Sequence, residues 1–301
     1  MPAGDPDTGD VPPLAFATAD EALAWYDSER ANLVAATRQA AGSGQHDVAW
    51  RLPTPLFMIF ESRGNWADCI ATHRIALDSA RLVGNRQAEA WVLNNLGDAL
   101  GVTGHPEGIG YLEQSLGIRR EIGDRMGEVH AANNLADAYQ RLGRADEALD
   151  VLWRVLDLTR EVADRFGEGV ALVNVGSALL DLDRAEEAVG YLQQARRTFT
   201  QVDYVDGVGY AMHILGRCYL SLGRDAEALD SLRVALDRHL ASGNRQQQAA
   251  TLRSLGTAQG RTGLAAEARE SRARAAAIFT ELGDTAQAAE IQAEQAESGI
   301  S

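Results

Sequence analysis

The sequence predicts an all-α solenoid made of stacked helix pairs with a period of about 40 residues. Two observations carry this prediction: a short loop motif recurs along the chain at that interval, and apolar residues recur at three- and four-residue spacing between the loops. The alternation of apolar and polar residues that is typical of strands does not extend over a segment long enough to form one. Repeats of this size bury their apolar faces against their neighbours, so we expect a long core rich in Ala and Leu.

Two series of loops delimit the repeats. The first series occupies Arg63-Gly64-Asn65, Thr103-Gly104-His105, Leu142-Gly143-Arg144, Leu182-Asp183-Arg184, Leu222-Gly223-Arg224 and Thr262-Gly263-Leu264. The second series occupies Gly84-Asn85-Arg86, Gly123-Asp124-Arg125, Ala163-Asp164-Arg165, Asp203-Tyr204-Val205, Gly243-Asn244-Arg245 and Gly283-Asp284-Thr285. Glycine at a helix end favours a positive φ, and the Asp or Asn that follows is the predicted N-cap of the next helix. The loops leave helices of roughly 16 to 17 residues.

Small residues form columns at the positions where two paired helices must approach closely. One column contains Gly97, Ala136, Gly176, Gly216 and Gly256, and a second contains Ile109, Ala148, Ala188, Ala228 and Ala268. This layout resembles the tetratricopeptide (TPR) repeat over roughly residues 46 to 283. The resemblance implies a right-handed superhelical solenoid of TPR-type helix pairs, in which the first helix of each pair lines the concave surface.

Composition and periodicity divide the chain into four parts. We predict a disordered or extended linker over residues 1–18, an N-terminal capping helix region over residues 19–45, about six TPR-like repeats over residues 46–283, and a C-terminal capping helix and tail over residues 284–301. Trp25 and Leu33 are expected to face the first repeat. Pro53 and Pro55 must bend or delay the first helix of that repeat.

The composition argues against several classes of partner and location. The net charge of −15 repels nucleic acid and anionic membranes, so we expect no direct nucleic acid contact by this chain. No run of 18 or more apolar residues occurs, and the first residues lack the pattern of a signal peptide. These features favour a cytoplasmic protein without a membrane span. Cys69 and Cys218 are predicted to be buried small hydrophobes.

Motifs for catalysis and metal binding are missing. The six histidines form neither an HxH nor an HExxH arrangement. A phosphate-binding loop and a GxSxG elbow are also absent, and the former requires a Lys that the chain lacks. The sequence therefore predicts a binding scaffold with no catalytic residues, no metal and no cofactor.

The exposed positions of the first helices are the candidate binding surface. The candidate residues are Arg51, Trp91, Asn94, Asp98, His130, Asn133, Asp137, Tyr210, His213, Arg217 and Arg253. Trp91 and Tyr210 are suited to anchor a ligand, unless they pack between repeats. The basic candidates cluster toward the C-terminal end and the acidic ones nearer the start, a gradient that would orient an asymmetric peptide or select an acidic segment.

Asparagine recurs inside the first helices although it is a poor residue for a helix interior. The residues are Asn94, Asn95, Asn133, Asn134 and Asn174. In one interpretation they bond to one another or to a neighbouring backbone and fix the register of the repeats. In the other, Asn94 and Asn133 clamp the backbone of an extended peptide through their paired donor and acceptor.

A narrower resemblance covers nearly the whole chain from about residue 19. The segments SERANLVAATRQAA, AWRLPTPLFMIFESRGNWADCI and SLGIRREIGDRMGEVHAANNLADAYQRLGR resemble the C-terminal region of actinobacterial transcriptional activators of the antibiotic regulatory protein class, which carry an NB-ARC-type nucleotide-binding domain. The resemblance implies a regulatory module that binds an effector, a protein or peptide partner, or the neighbouring nucleotide-binding domain of the same regulator.

The P-loop and the DNA-binding portion of such regulators are missing from this sequence, so we expect it to be a segment of a larger protein, monomeric or weakly dimeric. The alternative is a free-standing cytoplasmic TPR adaptor that binds peptide segments of partner proteins. Nothing in the sequence identifies the ligand.

Overall fold

The computed structural model describes residues 14–298, which form helices joined by short loops, with no strand in that range. The predicted all-α solenoid of TPR-type helix pairs is confirmed. The described residues divide into two compact units, unit 1 up to residue 99 and unit 2 from residue 100. Residues 1–13 of the predicted linker and residues 299–301 of the predicted tail lie outside the described range.

Unit 1 contains the N-terminal helices. They are α1 (Ala19–Gly42), α2 (His46–Arg51), a 3₁₀ helix (Thr54–Leu56), α3 (Phe57–Arg63), α4 (Trp66–Leu82) and the larger part of α5 (Arg86–Val102). Tyr26 on α1 is fully buried, with its ring edge-on to Phe60 at a centroid distance of 6.0 Å. Its hydroxyl donates to Asn65 Oδ1 at 3.0 Å. Trp25 and Leu33 pack against the same cluster, so α1 covers an apolar face of unit 1.

Two prolines interrupt the helix that follows α1. α2 ends at Arg51, Pro53 precedes the 3₁₀ turn, and Pro55 lies inside that turn. A proline lacks the backbone N–H, and its ring clashes with the carbonyl four residues earlier, so a continuous helix over residues 47–62 cannot form. The interruption predicted from the two prolines is confirmed.

Unit 2 is a regular stack of helix pairs. Its helices are α6 (Gly108–Ile122), α7 (Arg125–Arg141), α8 (Ala145–Glu161), α9 (Arg165–Asp181), α10 (Ala185–Gln201), α11 (Val205–Ser221), α12 (Asp225–Ser242), α13 (Arg245–Arg261), α14 (Ala265–Glu281) and α15 (Thr285–Ser298). Helices α7 to α11 each have 17 residues, as predicted. The first helices of successive pairs, α7, α9, α11 and α13, contact one another. Within residues 14–298 no helix has both the length and the apolar character that crossing a membrane requires.

Side-chain caps begin most first helices of unit 2. Asp124, Asp164 and Asn244 each accept a hydrogen bond from the backbone N–H three residues on, at distances of 2.9 to 3.1 Å. Asp284 caps α15 in the same way at 3.1 Å. These predicted N-caps are confirmed. Tyr204 holds the equivalent position before α11 and makes no side-chain cap.

Positive φ at the helix ends is not confined to glycine. Gly143 has a φ of 70°, as its position after a helix requires. Ala163, Asp183 and Asp203 end three successive helices with φ of 56°, 58° and 54°. A left-handed conformation costs a residue that has a Cβ roughly 1–2 kcal/mol. Three consecutive loops of unit 2 therefore hold strain that glycine would relieve.

The small-residue column sets the approach of the paired helices. A Cβ built on Gly176 would lie 2.6 Å from Leu192, and one built on Gly216 would lie 2.5 Å from Leu232. Both distances are shorter than van der Waals contact, so the leucine of the second helix occupies the space that a side chain on the first would need. The predicted close approach is confirmed in these two pairs.

Candidate functional site

The candidate residues lie on α2 and α5 of unit 1 and on first helices of unit 2. In unit 1 they are Arg51, Trp91, Asn94 and Asp98, all half-buried. In unit 2 they are His130, Asn133 and Asp137 on α7, Tyr210, His213 and Arg217 on α11, and Arg253 on α13. We call the surface made by these unit 2 residues, together with Val170, Val173 and Asn174 of α9, the first-helix wall.

Asparagines of the wall bond to one another and to the backbone. Asn174 Nδ2 donates to Asn133 Oδ1 at 3.3 Å, from α9 to α7. Asn133 Nδ2 donates to the carbonyl oxygen of Val129 at 3.1 Å. In unit 1, Asn95 Nδ2 donates to Nε2 of the buried His73 at 3.3 Å. These contacts are the ones expected if the asparagines fix the register of the repeats.

An apolar notch of about 160 Å³ opens between α9 and α11. Valines line it from α9 and Tyr210 lines it from α11. The full lining is Val170, Val173, Asn174, Phe199, Tyr204, Gly207 and Tyr210. The Tyr210 ring also lies edge-on to the ring of His239, at a centroid distance of 5.5 Å. His239 lies on α12, so Tyr210 packs against the second helix of its own pair and also lines the notch.

His213 departs from the expectation that its column is exposed. Its side chain is buried, and its Nε2 lies 3.3 Å from Ser254 Oγ on α13. Burial lowers the pKa of His213 to about 3, and the charge of Arg217 one turn away acts in the same direction. The imidazole is neutral at pH 7, so it offers the wall a hydrogen-bonding group and no charge.

A cavity of about 650 Å³ lies among α11, α13, α14 and α15. Arg217, Arg253 and Arg272 line it from three different helices, and we call it the arginine cavity. Ser254 and Thr257 add hydroxyl groups to the lining. A guanidinium presents paired N–H groups that match a carboxylate or a phosphate. The arginine cavity therefore has the donors that an anion needs.

The C-terminal helix brings a carboxylate, that of Glu294, to this cavity. Arg253 Nη1 donates to Gln287 Oε1 at 2.8 Å and to Glu290 Oε2 at 3.2 Å. Arg253 Nη2 pairs with Glu294. The hydrogen bond to Glu294 raises the pKa of Arg253 above its ordinary value. Helix α15, predicted as a polar cap, thus also binds a residue of the wall.

Arg272 stands in a column of buried leucines on the second helices. The other members, at intervals of 40 residues and each 0% exposed, are Leu112, Leu152, Leu192 and Leu232. Arg272 is partly exposed and lines the arginine cavity. Arg272 is not among the predicted site residues, because it lies on a second helix and the predicted binding surface is made of first helices. The signal was present, since an arginine in a leucine column breaks the repeat.

Three glutamates of low exposure, each bound by two arginines, join successive helix pairs and were also missed. Glu128 accepts from Arg120 Nε at 2.7 Å and from Arg125 Nη1 at 3.0 Å. The same arrangement occurs at Glu89 with Arg81 and Arg86, and at Glu168 with Arg160 and Arg165. The pattern Arg-x4-Arg-x2-Glu across the second loop series encodes it. These contacts stabilise the loops and leave no open site.

The next repeat uses a different network. Val208 holds the glutamate column there. Asp206 instead accepts from His239 Nδ1 at 2.9 Å, from Ser242 Oγ at 2.8 Å and from Asn244 Nδ2 at 3.0 Å. His239 is fully buried and its ring contacts that of Tyr210, so this network is joined to a residue that lines the notch.

The other candidates contribute to neither the notch nor the arginine cavity. His130 is exposed on α7. Asp137 forms an ion pair with Arg141 of the same helix at 2.7 Å. The guanidinium of Arg51 lies 5.2 Å from the ring centroid of Trp50. Of the predicted residues, the structure brings together Tyr210, His213, Arg217 and Arg253 on adjacent helices of unit 2.

Within residues 14–298 no group of three or more His, Cys, Asp or Glu side chains is arranged to hold a metal ion. Cys69 and Cys218 are both buried, as predicted. Burial raises the pKa of the Cys69 thiol to about 12 and that of the Cys218 thiol to about 11. Neither thiol is activated.

The repeat pattern, the helix lengths and the small-residue columns can be compared with known proteins. Residues 101–161 and 168–241 match the tetratricopeptide repeat family. No curated protein sequence matches the chain. The likeness to solved TPR structures is therefore one of fold, at sequence identities of 16 to 17% in three examples.

These three structures are similar over most of this chain. The apo form of RapI has a TM-score of 0.65 at 17% identity and covers 83% of this chain and 97% of its own. A Rap protein complexed with Competence and Sporulation Factor has a TM-score of 0.60 at 16% identity, with coverage of 83% and 74%. A Signal Transduction ATPase with Numerous Domains (STAND) from Pyrococcus horikoshii, which has a TPR sensor, has a TM-score of 0.64 at 16% identity, with coverage of 83% and 42%.

Proposed function

We propose that this chain is a non-catalytic TPR module that binds a partner, peptide or effector on its first-helix wall. The supporting observation is the change of chemistry along adjacent helices of unit 2, from the apolar notch at Tyr210 to the arginine cavity at Arg217 and Arg253. A surface that has an apolar recess beside cationic groups selects a ligand with an apolar group at one end and an anionic group at the other.

The finer proposal is that the module is the regulatory C-terminal part of a multidomain NB-ARC-type transcriptional activator of the cytoplasm, monomeric or weakly dimeric. The resemblance from about residue 19 supports it, as does the fold likeness to a STAND protein with a TPR sensor. In such a protein the wall would hold an effector or contact the neighbouring nucleotide-binding domain. The net charge of −15 leaves DNA contact to another domain.

Sequencing the native transcript upstream of the Met1 codon tests this finer proposal. We expect an in-frame P-loop region, and we expect the encoded domain to bind this chain with different dissociation constants in its ADP and ATP states. A switch requires such a difference, because a ligand shifts an equilibrium only by its differential affinity for the two states. Equal dissociation constants would remove the nucleotide-switch mechanism.

A free-standing adaptor is the second candidate, and the open notch favours it because an apolar side chain of a peptide can enter without a second domain. The Rap protein of similar fold, complexed with Competence and Sporulation Factor, is a precedent for a bound partner. A terminator and genuine start codon upstream of Met1 would favour this candidate over the regulator.

Photo-cross-linking tests the wall under either candidate. Benzoylphenylalanine is placed at Tyr210, and at Tyr191 as a control, because Tyr191 is half-buried on the second helix α10. In native cells we expect Tyr210→benzoylphenylalanine to trap one defined partner and the control to trap none. Circular dichroism establishes that both variants keep their helicity. The same products from both positions would contradict the wall as the binding surface.

A further inference from the structure

The arginine cavity has the size of a site for a small molecule. Its volume of about 650 Å³ lies within the range of roughly 300–1,000 Å³ that such sites occupy. Arg217, Arg253 and Arg272 line it in a chain whose net charge is −15. The three arginines outnumber the one carboxylate among the lining residues, that of Glu294, so the recess keeps a net positive charge that attracts anions locally, even when the whole chain repels them.

The stem of Arg272 packs as the leucines of its column do, since its Cγ would lie 2.8 Å from a Cβ built on Gly256, but its guanidinium has no counterpart in them. Leucine fills the same column in the four preceding repeats with 0% exposure. A leucine would fill this column as well as the stem of Arg272 does, so the charged group is what the arginine adds. The position at which arginine replaces leucine lines the cavity. The replacement adds a third guanidinium to those of Arg217 and Arg253.

Helix α15 indicates which anion suits the cavity. Glu290 and Glu294, one turn apart, both pair with Arg253. Two carboxylates on one guanidinium are the arrangement that a polycarboxylate ligand would reproduce. Among the described side chains of α15, the buried apolar ones are Ala288 and Ile291. Polar contacts add to this apolar one, from Arg253 to Glu290 and Glu294 and from Gln295 Nε2 to the carbonyl oxygen of Arg269 at 3.0 Å.

We propose that the arginine cavity binds a small polycarboxylate anion, and that Glu294 occupies the place of one ligand carboxylate when the anion is absent. This inference rests on the proposed function and names the effector class for the wall. On binding, Arg253 exchanges Glu294 for a ligand carboxylate, while Arg217 and Arg272 pair with the others. The C-terminal turns of α15 are then released, which converts occupancy of the cavity into a change at the surface.

Isothermal titration calorimetry of the full chain with citrate tests the proposal. We expect wild-type protein to bind citrate, and the Glu290→Gln, Glu294→Gln double variant to bind about tenfold more tightly because the internal competitor is gone. Arg272→Leu should lose binding. Arg272→Leu has the leucine that occupies this column in the preceding repeats, so it is expected to fold. Arg274→Leu removes the same charge from an exposed position of α14 and should bind citrate like wild type.

Hydrogen exchange at α15 gives a second measurement. Citrate should accelerate exchange of the α15 amides in wild type and leave it unchanged in Arg272→Leu. Equal citrate affinity of Arg272→Leu and wild type would overturn the proposal, as would equal affinity for inorganic phosphate at the same ionic strength. Absence of citrate binding by the double variant would overturn it too.

The two proposals fail separately. A specific cross-link from Tyr210 without citrate binding refutes the polycarboxylate site and leaves the partner-binding wall intact. Citrate binding that depends on Arg272, without any specific cross-link from Tyr210, refutes partner binding at the notch and leaves a sensor of small anions.

Discussion

Asn174 donates its side-chain amide to Asn133 Oδ1 at 3.3 Å, which joins the first helices of two successive repeats. Asn133 in turn donates to the carbonyl oxygen of Val129 at 3.1 Å. Asparagine is unfavourable inside a helix, and these bonds explain why it is tolerated here. A side chain already bonded on both its donor and its acceptor is a support of the wall before it is a contact for a ligand.

Asn174→Ala should lower the free energy of unfolding by about 1 kcal/mol, because the bond is lost and Asn133 Oδ1 loses its donor. In a double-mutant cycle with Asn133→Ala, we expect a coupling of about 0.5–1 kcal/mol. Urea unfolding followed by circular dichroism measures both quantities. Ser177→Ala, a half-buried polar truncation one turn along α9, should be additive with Asn133→Ala. Additive effects in the first cycle would show that the bond contributes nothing.

The loops show which features of the fold can be predicted from the sequence and which cannot. The period, the helix lengths and the caps at Asp124, Asp164 and Asn244 follow from local chemistry, because each depends on residues within one turn of the helix end. The left-handed conformation of Ala163 could not be predicted from its own side chain. It is imposed by the repeat, since the loop must turn at the same point as those that carry glycine.

Ala163→Gly should therefore stabilise the chain by about 0.5–1 kcal/mol. Glycine removes a left-handed penalty of roughly 1–2 kcal/mol, and the greater freedom of glycine in the unfolded chain offsets part of that gain. Asp183→Gly should stabilise the chain by a smaller amount, since Asp tolerates the left-handed conformation better than Ala does. The matched opposite change, Gly143→Ala, should destabilise. Urea midpoints that rise for Gly143→Ala or fall for Ala163→Gly would contradict the assignment of strain.

Glu168 links stability to pH. Burial by itself would raise the pKa of its carboxyl, but the hydrogen bonds from Arg160 and Arg165 outweigh burial and lower the pKa below the ordinary value of 4.5. A depressed folded pKa stabilises above the unfolded value, and that contribution is lost as pH falls through the folded value. We expect the unfolding free energy of wild type to fall more steeply below about pH 4.5 than that of Glu168→Gln.

Arg160→Gln tests the cause of this pH dependence. It leaves Glu168 with Arg165 alone, so the slope of unfolding free energy against pH should lie between those of wild type and Glu168→Gln. A slope identical to that of wild type would mean that Arg160 does not depress the pKa of Glu168.

His213 should remain neutral across the physiological range. Its pKa is lowered to about 3 by burial and by Arg217, so its ring resonances should not shift between about pH 8 and pH 5 in an NMR titration. Below an unfolded pKa of about 6.5 the unfolded chain takes up a proton that the folded chain refuses, so this group reduces stability as pH falls. The unfolding free energy of His213→Gln should therefore fall less than that of wild type as the pH is lowered. A titration of His213 near pH 6 would contradict its burial.

The candidate site was predictable only in part. Tyr210, Arg217 and Arg253 are found by reading exposed columns of the first helices, because one period of the repeat places them on one surface. The engagement of Arg253 by Glu294 was not predictable, since α15 follows the last repeat and its docking depends on tertiary contacts. His213 is buried by its neighbours on α13, which periodicity within one helix does not reveal.

Arg272→Leu distinguishes a binding residue from a structural one. If Arg272 serves a ligand, restoring the leucine of the preceding repeats should raise the free energy of unfolding by about 1–2 kcal/mol, through the apolar area that a leucine buries at this position. The exposed control Arg274→Leu should stay within about 0.5 kcal/mol of wild type. Urea unfolding measures both. A stabilised variant that no longer binds citrate means the arginine is kept for binding despite its effect on stability, as functional sites often are. A destabilised variant means that Arg272 holds α14 in place.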